Sequence, residues 1–269
     1  MYFKGTAMKR SLILIFTILS ITLFSQTKPS KQYFQNYLHD GKKIVTSPLR
    51  WQKTDWLKAG IIGGVTIGLY NLADEEVQKK VQNNKSDFFD AFANGPRLLG
   101  DGIFVLGSQA AIYLFGNSTD NNRLMHASLL SLESYVISGG LVMIMKSIGQ
   151  RHRPYKDDGH DVWDVPSLSF SNLSFPSGHS ASAFAVATVF ASVYSDVKFV
   201  PAISYSLATL AAFSRVYDNK HWTSDIFLGS VVGYYTSKAI MKHNSERYDF
   251  TVYPGFDKDC VYLNCSVKF

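Results

Sequence analysis

Apolar positions in this chain fall into long blocks, not into strict alternation. Six such blocks lie at roughly 56–73, 98–116, 126–148, 180–195, 199–215 and 223–241. Runs of that length predict helices and not strands. Between the first two, Asp74 to Arg97 is charged and amphipathic, with Val77, Val81, Phe88, Phe89 and Phe92 as a packing face. Asn94-Gly95-Pro96 marks its stop. The polar link 117–125 predicts a turn. Residues 27–50 are polar and aperiodic and predict a loose arm. The tail from 248 changes character: Asp249 to Tyr253 and Cys260 to Phe269 are rich in β-branched and aromatic residues around Pro254-Gly255. It predicts a small hairpin or extended strap.

The first apolar run, Leu12 to Phe24, follows Lys4, Lys9 and Arg10 and precedes Ser25 and Gln26. A basic start, a short apolar stretch and small or polar residues after it describe an export signal. An uncleaved anchor would need a fuller span of ~20 residues. The domain organisation expected is a signal at 1–25, an N-terminal arm at 26–55, a helical domain at 56–245 and an extended tail at 246–269. Trp51, Lys53, Trp56 and Lys58 read either as an interfacial belt or as a surface helix start capped by Thr54.

Several of the six blocks make poor membrane spans. The first carries Gly60, Gly63, Gly64 and Gly68, the second Asp101 and Gln109, the third Glu133. The apolar fraction of 46% is ordinary for a soluble domain, although small residues also suit tightly packed membrane helices. Export would place residue 27 outside, and three crossings would then leave the loop from Lys146 to His179 inside. The expectation is an exported bundle, facing the periplasm, that rests on or in a membrane. The net charge of +6 is dispersed, without the basic run of a nucleic-acid arm, so no nucleic-acid partner is expected. An oxidising compartment would allow a disulfide between Cys260 and Cys265 if a turn closes the gap between them.

The candidate chemistry lies between Lys146 and Asp225. Lys146-Ser-Ile-Gly-Gln-Arg-His-Arg153-Pro154 comes first, then Pro176-Ser-Gly-His179, then Ser214-Arg215 with His221 and Asp225. Lys146 and Arg153 are close to two helical turns apart and share a face if the helix continues that far, with Pro154 ending it. A point charge beside a forked guanidinium suits a tetrahedral dianion. Ser177 and the Gly178 amide stand where a helix start makes an anion cradle. His221 and Asp225 are one turn apart, so the carboxylate can hold one imidazole nitrogen.

These clusters, in this order and spacing, resemble the three-part signature of the type 2 phosphatidic acid phosphatase superfamily. That superfamily also holds class A bacterial acid phosphatases and vanadium haloperoxidases. The resemblance covers roughly Trp56 to Lys242. It implies an all-α bundle of about six apolar helices with the active site at helix ends, followed by the β-like tail. It implies His221 as nucleophile, Asp225 as its orienting acid and His179 as general acid. Lys146, Arg153, Ser177, Gly178 and Arg215 would bind phosphate, with no metal or cofactor. The activity implied is hydrolysis of a phosphate monoester or diphosphate through a phosphohistidine, on a phosphorylated lipid or a small phosphate ester. A soluble broad-specificity acid phosphatase, a vanadate-dependent haloperoxidase and a non-catalytic phosphate binder are the alternatives. His126, His152 and His160 read as surface or loop residues, His160 with Trp163 at a candidate substrate entrance. Glu133 reads as a partner for a motif arginine or as a packing defect.

Overall fold

A computed structural model describes residues 28–168, 172–248, 250–256 and 261–267. The expected signal at 1–25 and Cys260, half of the expected disulfide, lie outside these residues. The helices are α1 (Lys31–Val45), α2 (Lys53–Leu72), α3 (Asp74–Asn83), α4 (Asp87–Leu98), α5 (Gly102–Ser118), α6 (Asn122–Gly149), α7 (Gly178–Val193), α8 (Val200–Tyr217) and α9 (Thr223–Tyr248). An antiparallel hairpin of β1 (Phe250–Phe256) and β2 (Val261–Val267) follows, pairing Val252 with Cys265. The all-α class and all six apolar helices are as expected.

α7 is the hub, packed against α6, α8 and α9. It is built of small residues, and Ala181, Ala183, Ala185, Ala187 and Ala191 are all buried. α7 and α9 run side by side in the same direction, in steps of four residues. A Cβ on Gly229 would come within 2.3 Å of the Ser177 carbonyl oxygen, and one on Gly233 within 2.2 Å of that of Ala181. One turn further on, Ser237 Oγ donates to the Ala185 carbonyl at 3.0 Å. Glycine is therefore required at 229 and 233, because backbone meets backbone there. This contact fixes the starts of α7 and α9 beside each other, and Ser177 N donates to the Asp225 carbonyl at 2.9 Å.

Four expectations fail. The 27–50 arm contains α1, capped by Ser30. Its inner face is polar, burying Tyr33, Asn36 and Asp40, while Phe34 and Leu38 are exposed. The usual amphipathic pattern is inverted, with the apolar stripe of Phe34, Leu38 and Val45 facing outward. α4 runs through Asn94-Gly95-Pro96 to Leu98, because Pro96 falls in its last turn. Phe88 and Phe89 are exposed and do not form the expected packing face. α2 is capped by Gln52, whose side chain makes a capping box with Asp55, and not by Thr54. Trp51 and Trp56 meet edge to face there at 5.0 Å.

Among the described residues, α6 is long and apolar enough to cross a membrane, and the bent pair α4–α5 passes the same test as a unit. Large apolar side chains stand exposed along α2 (Leu57, Ile61), α5 (Ile103, Phe115) and α8 (Ile203, Leu207).

Candidate active site

The helix that carries Lys146 does not continue to Arg153. α6 ends at Gly149, where Gln150 takes a left-handed conformation, φ 42°. Arg153 is extended and Pro154 begins a short 3-10 turn. Lys146 and Arg153 therefore meet because the chain folds back, not because they share a helix face. Both reach towards the Leu173 carbonyl, Lys146 closely and Arg153 at 3.5 Å. Lys146 also lies 3.3 Å from the Ser174 carbonyl.

The structure brings the expected residues to one end of the bundle. His179 senses the charges of Arg215, Arg153 and Lys146, and His221 those of Lys146 and Arg153. Four helix ends contribute: the C-termini of α6 and α8 and the N-termini of α7 and α9. Ser177 is the N-cap of α7 and accepts from Ser180 N and, at 3.0 Å, from Ser180 Oγ. Ser177 is fully buried, and the Gly178 amide has no intrahelical acceptor at the first helical position. A Cβ on Gly178 would meet only Val142, at the ordinary contact distance of 3.8 Å.

His221 is buried, with Nδ1 3.5 Å from Asp225 Oδ2. That separation is long for a hydrogen bond, so the pair is aligned electrostatically more than it is bonded. Desolvation is the largest effect on the imidazole and takes its pKa down to about 3, against the opposing pull of Asp225. Burial and then Arg215 take His179 down to about 4. Burial and the nearby Arg153 take Lys146 down to about 7.

The residues the sequence reading missed are those that hold Asp225. Arg151 is fully buried and bridges two carboxylates, Asp225 Oδ1 at 2.7 Å and Asp74 Oδ2 at 2.8 Å. Its guanidinium lies over the rings of Tyr70, Trp163 and Trp222 and donates to the His160 carbonyl. Asp225 Oδ2 accepts from Ser174 Oγ at 2.5 Å and Trp222 N at 2.9 Å. Ser224 ties Asp74 to the start of α9. One signal was visible in the sequence, an arginine two residues before Arg153 in a stretch otherwise leading into a loop. Asp74, some seventy residues earlier, gave none.

Arg215 is held by Asp218 at 2.9 Å, and Asp218 also takes Arg97 at 2.7 Å. His160 and Trp163 belong to the Arg151 cage. His152 sits between Asp158 and Asp164. Glu133 meets no motif arginine. It is buried beside Asp40 and Arg247, among α1, α6 and α9, and burial and then Asp40 push its carboxyl up.

Comparison with known proteins agrees with the motifs. Residues 127–249 match the family model of the PAP2 superfamily. A 61-residue stretch is 43% identical to a lipid A 1-phosphatase of Porphyromonas gingivalis, covering 22% of this chain and 14% of that protein. The chain thus spans about one seventh of that curated relative's length. Two solved structures share the fold at 22% identity. One is Aquifex aeolicus LpxE, with a TM-score of 0.50 over 63% of this chain and 94% of that one. The other is a transmembrane PAP2 type phosphatidylglycerolphosphate phosphatase from Bacillus subtilis, with a TM-score of 0.52 over 80% and 94%.

Proposed function

We propose that the protein is a membrane-associated PAP2 phosphatase that hydrolyses a phosphate monoester or diphosphate on a lipid through a phosphohistidine. The observation that carries this reading is the gathering of Lys146, Arg153, Arg215 and His179 around a buried His221–Asp225 pair. His221 is the nucleophile. Its lone pair attacks phosphorus, the P–O bond to the leaving group breaks, and His179 delivers a proton to the departing oxygen. Water then attacks the phosphohistidine, with His179 taking a proton from it, and releases inorganic phosphate. Lys146, Arg153 and Arg215, with Ser177 and the Gly178 amide, stabilise the charge that develops on the equatorial oxygens.

The low pKa values fit these roles in opposite ways. At about 3, His221 is neutral at any physiological pH, as a nucleophile must be. His179, at about 4, must gain its proton when the phosphate dianion arrives and raises its pKa. Lys146, at about 7, does the same. Substrate binding and proton uptake are therefore linked.

A lipid substrate is favoured by the exposed apolar flanks of α2, α5 and α8 and by the relatives, which are named for lipid A and phosphatidylglycerolphosphate. The test is phosphate release from a panel of lipid and water-soluble phosphates by the wild type, His179→Ala and His221→Ala. Lipid phosphates turned over by the wild type and not by His221→Ala support the reading; equal turnover by both removes it.

A further inference from the structure

An apolar groove of about 250 Å³ runs down the flank of the bundle between α5, α7 and α8. Its upper end is walled by Leu99 and Ala183. Gly100, the next residue after Leu99, lies so close to His179 that a Cβ would come within 2.6 Å of the His179 carbonyl oxygen. Ala183 is one turn below His179 on α7. The groove therefore begins beside the proposed general acid and leads away from it, past Val105, Ala187 and Leu207.

Three wall residues break the apolar pattern, Ser108, Gln109 and Ser204, and Gln109 is the largest of them. Gln109 is only 3% exposed. Its Nε2 reaches no further than the Oγ of its neighbour Ser108, at 3.4 Å. Its Oε1 has no hydrogen-bond partner among the described residues. A buried carbonyl oxygen left unpaired is costly, so such a group usually has a partner. Gln109 stands seven residues into α5, ~10 Å along the helix from its start. A group placed there would sit well below the phosphate site, at the depth of a lipid chain.

We propose that this groove receives an acyl chain of the substrate and that Gln109 Oε1 accepts a hydrogen bond from a hydroxyl on that chain. The occupant follows from continuity: the groove is largely apolar, open along its outer side, and its upper wall at Leu99 and Ala183 adjoins the backbone around His179. Gln109 then selects hydroxylated chains over plain ones, because a plain chain leaves its oxygen unpaired. This rests on the lipid phosphatase reading above.

The experiment uses the full chain and synthetic lipid phosphates with one head group and one chain length. One lacks a chain hydroxyl; the others carry it at successive positions. The wild type is expected to prefer one hydroxyl position by about tenfold in kcat/KM over the plain chain, a ratio in line with one buried hydrogen bond. Gln109→Leu should bring that preference within about twofold, while turnover of a short water-soluble ester stays unchanged. Equilibrium binding of the matching non-hydrolysable phosphonates reads the groove independently of catalysis and should show the same tenfold difference, lost in Gln109→Leu. No preference at any position in the wild type, or a preference that survives Gln109→Leu, overturns the proposal. Loss of turnover with the binding preference intact would count against the catalytic reading alone.

Discussion

The bundle buries ionisable groups at both of its ends, and the two ends are built differently. At the far end, Asp40 is enclosed by Arg247 and by His243, the latter at 3.2 Å, and Tyr33 Oη donates to the Leu129 carbonyl at 2.9 Å. The cation there, Arg247, is matched by a carboxylate, and the cluster pins α1 to α6 and α9. At the near end, Lys146 and Arg153 reach backbone carbonyls, while the nearby carboxylate, Asp225, is already held by Arg151. Among the described residues Lys146 and Arg153 thus make no salt bridge, beside two imidazoles kept neutral by burial, whereas Arg215 is paired with Asp218. Burial of charge alone marks no site; a surplus of one sign does.

The comparison breaks most sharply with His221→Ala. It should lower turnover by a factor on the order of 10³–10⁴, the usual scale for a nucleophile, and leave the thermal melt nearly unchanged. Arg151→Met comes next. It strands two buried carboxylates, Asp74 and Asp225, and should cost about 3–5 kcal/mol of stability, measurable by denaturant titration. Asp74→Asn removes one carboxylate and should cost less while also lowering kcat, because Arg151 then turns more fully to Asp225. At the far end, Asp40→Asn should destabilise by about 1–3 kcal/mol and leave the activity of the folded fraction as it was.

The smallest effect is a protonic one. His179 and Lys146 have pKa values below those of the free side chains, and a bound anion should raise both. Binding of inorganic phosphate near pH 7 should therefore take up protons, seen as a binding heat that varies with the ionisation heat of the buffer. The same shifts set the sign of the stability curve. The unfolded chain binds protons at these imidazoles below about 6.5, whereas the folded chain resists them down to about 3 at His221. Stability is therefore full above the unfolded value and is lost as pH falls from there towards 3. Replacing His221 by Gln should flatten that loss.

Much of this was legible in the sequence, and what was not has physical reasons. The apolar blocks gave the six long helices because each must bury a broad face. The spacing of Lys146, Arg153, His179, Arg215, His221 and Asp225 pointed to residues that the fold does gather. No continuous helix links Lys146 to Arg153, since Gln150 reverses the chain by a left-handed turn that glutamine does not advertise. α1 was hidden because its inward face is polar. The cage around Arg151 draws on Asp74, Tyr70, Trp163 and Trp222, partners scattered over the chain that only tertiary structure unites.

The most direct measurement is to look for phosphate on His221 itself. With a phosphate ester whose leaving group needs no proton, His179→Ala should still be attacked but lose the base that activates water. Alkaline quenching and peptide mass spectrometry should then find phosphate on His221. Phosphate on another residue, or release of phosphate by this variant with no adduct at any time point, contradicts the mechanism.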